Sequence, residues 1–209
     1  MSPTHKRRKP SSGTHRAKNV KMSRGLVRII AGEHRGRRLP VLVHEGLRPT
    51  GDRVKETLFN WLMSSINQAT CLDMFAGSGS LGIEALSRGA AHIVFIENDR
   101  VVAQQISDNL ATLRETDKAD VVNASALSHE FTSAAIKQFD IVFIDPPFGK
   151  EMVANSIDRL VSENMLAQNA YVYIETSHND SYDLPAQFCL LKELKTSQVN
   201  ARLYQLNAN

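Results

Sequence analysis

From residue 70 the sequence alternates short apolar runs with single amphipathic stretches. "TCLDMFA" reads as a strand, "GSLGIEALSRG" as a helix stopped at Gly89, and "HIVFIEND" as a second strand. "RVVAQQISDNLATLRE" gives the next helix and "ADVVNASA" a third strand. "FDIVFIDPPF" is a fourth strand, "MVANSIDRLVSENML" a helix and "AYVYIET" a fifth strand. The tail "FCLLKELKTSQVNARLYQLN" reads as two strands joined near Thr196 to Gln198. Strands joined by single helices build a parallel sheet with helices on both faces, because each crossover must pack back onto the sheet. A closing antiparallel pair makes that sheet mixed. The expected fold class is α/β, with ligands bound outside the carboxyl ends of the strands where strand order reverses.

The segment before this pattern has another character. Residues 1–55 hold 15 Lys or Arg against three acidic residues, and residues 56–209 hold 10 against 19, so a net charge of +3 conceals a front of about +12 and a remainder of about −9. A polyanion is drawn to such a front through phosphate contacts and counterion release. Residues 1–24 contain almost nothing to bury and are expected to be a disordered basic arm. Residues 25–49 are expected to form a basic β-hairpin, two short strands around a turn near Glu33 to Gly36. The main domain then spans 50–209. It opens with a helix that Thr50 can cap and in which Val54, Leu58, Trp61 and Leu62 recur at helical spacing.

Two glycine-rich and acidic strand ends point to a cofactor. "DMFAGSGSLG" puts Asp73 at the end of the first strand, followed by Phe75, Gly77, Gly79 and Gly82. Glycines there let the chain turn tightly and approach a ligand. No Lys followed by Ser or Thr comes after them, which disfavours a nucleoside triphosphate loop. A short glycine match alone equally describes a nicotinamide or flavin fold. Asp73, however, would repel a pyrophosphate and welcome a ligand carrying a free ammonium group. Glu97 ends the second strand and is placed to accept hydrogen bonds from the two hydroxyls of a ribose. Asn98 is a further candidate for this end of the cofactor, although Asn98 or Asp99 can equally cap the helix that begins near Arg100. On the third strand, Ser125 is preferred for an adenine edge, with the backbone of Ala126 beside it.

The fourth strand ends abruptly in Asp145, Pro146, Pro147 and Phe148. Two prolines fix φ and remove donors, so the carboxylate of Asp145 and the carbonyl of Pro146 become acceptors on a stiff scaffold. Two acceptors holding both hydrogens of an exocyclic amine orient its nitrogen for attack on a methyl group. Phe148 can stack on the base.

The segments "DMFAGSGSLGIEAL", "VFIEND" and "FDIVFIDPPF" resemble the class I S-adenosylmethionine-dependent methyltransferases that modify exocyclic amines of bases. With "RIIAGEHRGRRL" and "RPTGDRVKETLFNWL" added, the chain from about residue 25 to its end resembles more narrowly the bacterial 16S ribosomal RNA guanine-N2 methyltransferases acting at guanine 966. The resemblance implies a Rossmann-like, seven-stranded mixed sheet and S-adenosyl-L-methionine placed by Asp73, Gly77, Gly79 and Glu97. It implies a base held by Asp145 to Phe148, and a substrate that is the 16S RNA of an assembled or assembling small subunit. Ser125 departs from the Asp often found at the matching place. The arm before residue 25 lies outside the resemblance.

Under this reading Arg28, Arg35, Arg37, Arg38, Arg48 and Arg53 bind phosphates around the target base, with Lys6 to Lys9 adding a weaker contribution. Arg53 and Glu56 can also be a simple helix-surface pair. Phe59 and Trp61 are expected in the core. Cys71 and Cys189, each inside an apolar run, are expected to be buried thiols of a reducing compartment. His34 and His44 are isolated, and no ligand spacing suggests a metal. No apolar run approaches the roughly 20 residues of a membrane span, and no secretory signal opens the chain, so a cytoplasmic protein is expected. A monomer is ample for this chemistry and is the expected state. A DNA amine methyltransferase would carry a further target-recognition domain. A noncatalytic RNA-binding protein would give no reason for Asp145 to Phe148.

Overall fold

The structure, a computed structural model, describes residues 23–43, 51–128, 138–147, 151–178 and 180–207. A two-stranded antiparallel hairpin, β1 (Ser23–Arg28) and β2 (Arg38–Val43), precedes helix α1 (Asp52–Trp61). The alternation then runs β3 (Thr70–Asp73), α2 (Ser80–Ser87), β4 (His92–Glu97), α3 (Arg100–Leu113), β5 (Ala119–Asn123) and β6 (Phe139–Ile144). It finishes with α4 (Met152–Ser162), β7 (Leu166–Thr176), β8 (Phe188–Lys195) and β9 (Asn200–Leu206). β3 to β9 form one seven-stranded sheet in the order β5-β4-β3-β6-β7-β9-β8, parallel from β5 to β7 and antiparallel at β7–β9 and β9–β8. The expected α/β fold with a mixed seven-stranded sheet is present. The chain runs from β3 to β4 and β5, then returns to the other side of β3 as β6, so strand order reverses between Asp73 and Asp145.

Alternation decides which face each strand residue covers. Cys71, Ile93, Phe95, Ile141, Phe143 and Tyr173 pack against α1, α2, α3 and the hairpin, while Leu72, Val94, Ile96, Val142, Ile144 and Ile174 pack on the α4 side. Gly82 sets how closely α2 lies on the sheet: a Cβ there would meet the Phe95 ring at 2.1 Å.

Helix α2 is buried along its whole length, because the hairpin covers the side the sheet leaves open. Its polar residues are satisfied by that hairpin. The Glu84 carboxylate accepts from the backbone N–H of Ile30 (2.8 Å) and of Ala31 (3.0 Å) and from Arg88 Nε (2.8 Å). Ser87 Oγ donates to the Ala31 carbonyl and accepts from His34 N. Val27, Ile29, Leu39 and Val41 of the hairpin join the same core. The hairpin is thus a wall of the main core, and β1 starts at Ser23, two residues before the expected boundary. β7 also starts earlier than expected, at Leu166 in place of Ala170.

Other expectations are corrected. Helix α1 is preceded by Gly51 in the cap position, which makes no side-chain cap, and Thr50 lies outside the described residues. Phe59 is fully buried, whereas Trp61 is half-buried against the core. Cys71 is buried, but Cys189 is exposed on β8, where Asn207 Nδ2 donates to its Sγ. Among the described residues no helix is long and apolar enough to cross a membrane.

Candidate active site

Four carboxyl-bearing residues stand at the carboxyl ends of the four adjacent parallel strands β4, β3, β6 and β7: Glu97, Asp73, Asp145 and Glu175. Glu97, Asp73 and Glu175 follow Phe95, Cys71 and Tyr173 by two positions and so share the face of α1 and α2. The glycine loop crosses between the first two. Gly77 (φ +51°) and Gly79 (φ +73°) occupy the left-handed region, and Gly79 caps α2 from there. A Cβ on Gly77 would meet nothing nearer than the Phe75 carbonyl at 3.9 Å, so the loop is open on its outer side.

Glu97 is fixed by that loop. Its Oε2 accepts from Gly77 N and its Oε1 from Asp99 N, each at 2.8 Å. Burial raises its pKa, and the two N–H groups oppose the rise. Asp73 is turned inward: it is 1% exposed, and Oδ2 accepts from Gly82 N at 3.1 Å. Burial pushes its pKa up to about 7, against the Gly82 hydrogen bond and helped by the nearby charge of Glu97. A loop with free backbone approach, a carboxylate braced beside it and a second carboxyl behind it fits a nucleoside bearing an amino-acid tail. Phe75 is half-buried beside the loop.

The structure separates the roles of the flanking residues. Asp99, not Asn98, caps α3 through Oδ1 to Val101 N and Val102 N. Asn98 is exposed, and its carbonyl accepts from Asn123 Nδ2. Ser125 is exposed at the end of β5. Ala126 is buried, and its carbonyl accepts from Arg159 Nη1 at 2.7 Å. Asp145 and Pro146 are half-buried and Pro147 exposed at the mouth of β6; Phe148 lies outside the described residues.

The basic residues spread over a longer surface than expected. Arg28, Arg35, Arg37, Arg38 and Arg53 are all exposed. The hairpin turn rests on the far ends of α2 and α3, with Glu33 N bonded to the Ser87 carbonyl and Arg37 Nη2 to the Thr112 carbonyl. α3 is 14 residues long, and helical rise makes this roughly 20 Å. Arg35 and Arg37 therefore sit at the end of the domain away from Asp145. Arg48, His44 and Lys6 to Lys9 lie outside the described residues.

Several residues that matter here escaped the sequence reading. Lys55, 1% exposed, donates from Nζ to the Arg28 carbonyl (2.7 Å) and to Ser80 Oγ (3.1 Å), joining hairpin, α1 and the start of α2. Its position on the buried stripe with Leu58 and Leu62 was the available signal. His34 is not isolated: Nε2 lies 2.7 Å from Glu115 Oε1, and Lys118 Nζ lies 2.9 Å from Glu115 Oε2. Glu33, His34 and Glu115 do come together, but an imidazole and an ammonium already take the Glu115 oxygens. Tyr173 donates to Glu175 Oε2 at 2.7 Å beside the Asp145 end of the sheet.

Comparison with known proteins agrees with this geometry. Residues 27–205 match the family described as Conserved hypothetical protein 95. The chain is 52% identical over 184 residues to ribosomal RNA small subunit methyltransferase D of Haemophilus influenzae, covering 88% of this chain and 95% of that protein. It is 49% identical over 185 residues to the protein of the same name from Escherichia coli, covering 88% and 92%. A solved Escherichia coli chain superposes with a TM-score of 0.79 at 46% identity, covering 88% of this chain and all of that one. The sheet order and the glycine loop are those of the Rossmann-like class I methyltransferase fold, which binds S-adenosylmethionine. The chain belongs to the Conserved hypothetical protein 95 family, together with these methyltransferases.

Proposed function

We propose that this chain transfers a methyl group from S-adenosylmethionine to the exocyclic N2 amine of one guanine, guanine 966, in the 16S RNA of the small ribosomal subunit. The observation that carries the reading is the row formed by Glu97, the glycine loop, Asp73 and Asp145 along the open end of three adjacent strands, at the point where strand order reverses. Glu97 accepts the ribose hydroxyls, Gly77 and Gly79 give the backbone approach, and Asp73 supplies negative charge toward the amino-acid tail. Asn98, Phe75, Ser125 and the backbone of Ala126 border the nucleoside. When bound, the cofactor supplies an electrophilic methyl group on a sulfonium centre.

The chain's own work is to hold the amine. The Asp145 carboxylate and the Pro146 carbonyl accept its two N–H groups, Pro147 stiffens the turn, and Phe148 stacks on the base. Fixed acceptors of this kind favour positive charge as it develops on the nitrogen, without reorganisation at the moment of attack. The proton released on transfer leaves from the side of the nitrogen that faces Asp145. A base reaches this site unstacked or from an exposed loop.

In this reading residues 1–24, 25–49 and 50–209 act as basic arm, RNA-facing hairpin and methyltransferase domain. Arg28, Arg38, Arg48 and Arg53 grip phosphates, and Arg35 and Arg37 reach RNA far from the target base. The protein works in the cytoplasm as a monomer, on the small subunit or its assembly intermediate. The test is incubation with labelled S-adenosylmethionine and small subunits from cells lacking the activity, followed by nucleoside analysis. Label in N2-methylguanosine is expected; label in N6-methyladenosine, or only in added DNA, contradicts the proposal.

A further inference from the structure

Acceptors at Asp145 and Pro146 pin an exocyclic amine, but adenine, guanine and cytosine all carry one. Choosing guanine requires reading the ring nitrogen beside the amine. In guanine that nitrogen, N1, carries a hydrogen and donates; in adenine and in 2,6-diaminopurine it is a bare acceptor. A site that selects guanine N2 therefore needs one more acceptor next to Asp145.

β7 provides it. β6 and β7 are paired in parallel with Phe143 opposite Tyr173 and Ile144 opposite Ile174, which brings Asp145 and Glu175 side by side one residue further on. Adjacent strands lie about 4.8 Å apart. The Tyr173 hydroxyl donates to Glu175 Oε2 at 2.7 Å, while Oε1 makes no hydrogen bond among the described residues. Tyr173 is wholly buried, and Glu175, two residues nearer the carboxyl end of β7, keeps 6% of its surface exposed. Burial, the Glu175 carboxylate and the charge of Asp145 all hold the Tyr173 proton in place, which keeps the hydroxyl a donor and also marks Asp145 as a near neighbour. A carboxyl group sealed this far from water, with no cation on it among the described residues, is a costly choice for a strand end. We propose that Glu175 is a specificity-determining residue that accepts the N1–H of the target guanine while Asp145 holds the neighbouring amine, with Tyr173 positioning the Glu175 carboxyl. The assignment rests on the guanine-N2 reading above and deepens it.

The test uses full-length protein and small subunits reconstituted with 16S RNA ligated to carry either guanine or 2,6-diaminopurine at the target position. Both bases present the N2 amine, and only guanine offers N1–H. Wild type is expected to prefer guanine by about 100-fold in kcat/KM, because the acceptor at Glu175 would face a bare nitrogen in the analogue. Glu175→Gln can turn its amide to donate to that nitrogen, and its preference is expected to fall by at least about 10-fold. Its affinity for S-adenosylmethionine and its Tm should stay close to wild type. Tyr173→Phe, which keeps the ring in the core, is expected to lower the preference by about 3-fold to 10-fold. An unchanged guanine preference in Glu175→Gln, or a wild type indifferent to the two bases, overturns the assignment. Absence of any N2-methylguanosine from wild type on guanine-bearing subunits instead overturns the functional reading beneath it.

Discussion

The ammonium of Lys55 stands 3.9 Å from the carboxylate of Glu84, and neither side chain is more than 1% exposed. Glu84 also takes the Ile30 and Ala31 N–H groups of the hairpin, and Lys55 takes the Arg28 carbonyl and Ser80 Oγ. Burial pulls the Lys55 ammonium below its usual range, opposed by the Glu84 charge. One buried pair therefore fastens the basic hairpin to the helix that follows the glycine loop.

Removing one partner from such a pair leaves an uncompensated buried charge. Glu84→Ala is expected to destabilise the protein by about 3 kcal/mol or more, and at roughly 2–4 °C per kcal/mol for a chain of this size the Tm should fall by about 6–12 °C. Glu84→Gln, which keeps an acceptor for the hairpin N–H groups, should cost less. Thermal unfolding followed by circular dichroism checks both; an Ala variant as stable as wild type would mean that the hairpin is held by its apolar residues alone.

Asp73 predicts opposite pH trends for stability and binding. Its folded-state pKa of about 7 lies above the 3.8 of the unperturbed side chain. The folded chain thus holds this proton more tightly, and the stabilisation is fully present below the unperturbed value and is lost as pH rises through about 7. An ammonium-bearing cofactor favours the ionised form, so affinity for S-adenosylmethionine should rise by up to about 10-fold between pH 6 and pH 8. Calorimetric titration across that range checks this, with Asp73→Asn expected to bind more weakly and with a flat profile.

The Arg cluster predicts a salt effect without a change of target. Replacing Arg35, Arg37 and Arg38 with Ala should raise KM for small subunits and flatten its salt dependence by up to about 0.7 to 0.9 in log–log slope for each phosphate no longer neutralised. The methylated base should stay the same, since Arg35 and Arg37 sit at the far ends of α2 and α3. An unchanged slope removes the hairpin from the RNA interface.

The sheet and its switch point were legible in the sequence because strand and helix periods differ and because glycines punctuate the crossover. That Asp73, Glu97 and Asp145 stand at strand ends, with Gly77 and Gly79 in the crossover after β3, was legible because it is a local property. Contacts made across long sequence separations were not. Lys55 bonds a carbonyl 27 residues away and His34 a carboxylate 81 residues away, and neither spacing leaves a periodic trace. Cys189 was misplaced because "FCLL" is as apolar as a buried strand, while β8 is an edge strand with exposed neighbours Leu190 and Leu191. Glu175 ends a strand as Asp73 and Glu97 do, and its partner Tyr173 two residues earlier marks it only once the face is known.

The most direct measurement is single-turnover methyl transfer by Asp145→Ala on small subunits lacking the modification, alongside its affinity for S-adenosylmethionine. Transfer should fall by about 1,000-fold or more, while cofactor affinity stays within a few-fold of wild type. Transfer at the wild-type rate, or loss of cofactor binding in place of transfer, would contradict an amine held at Asp145.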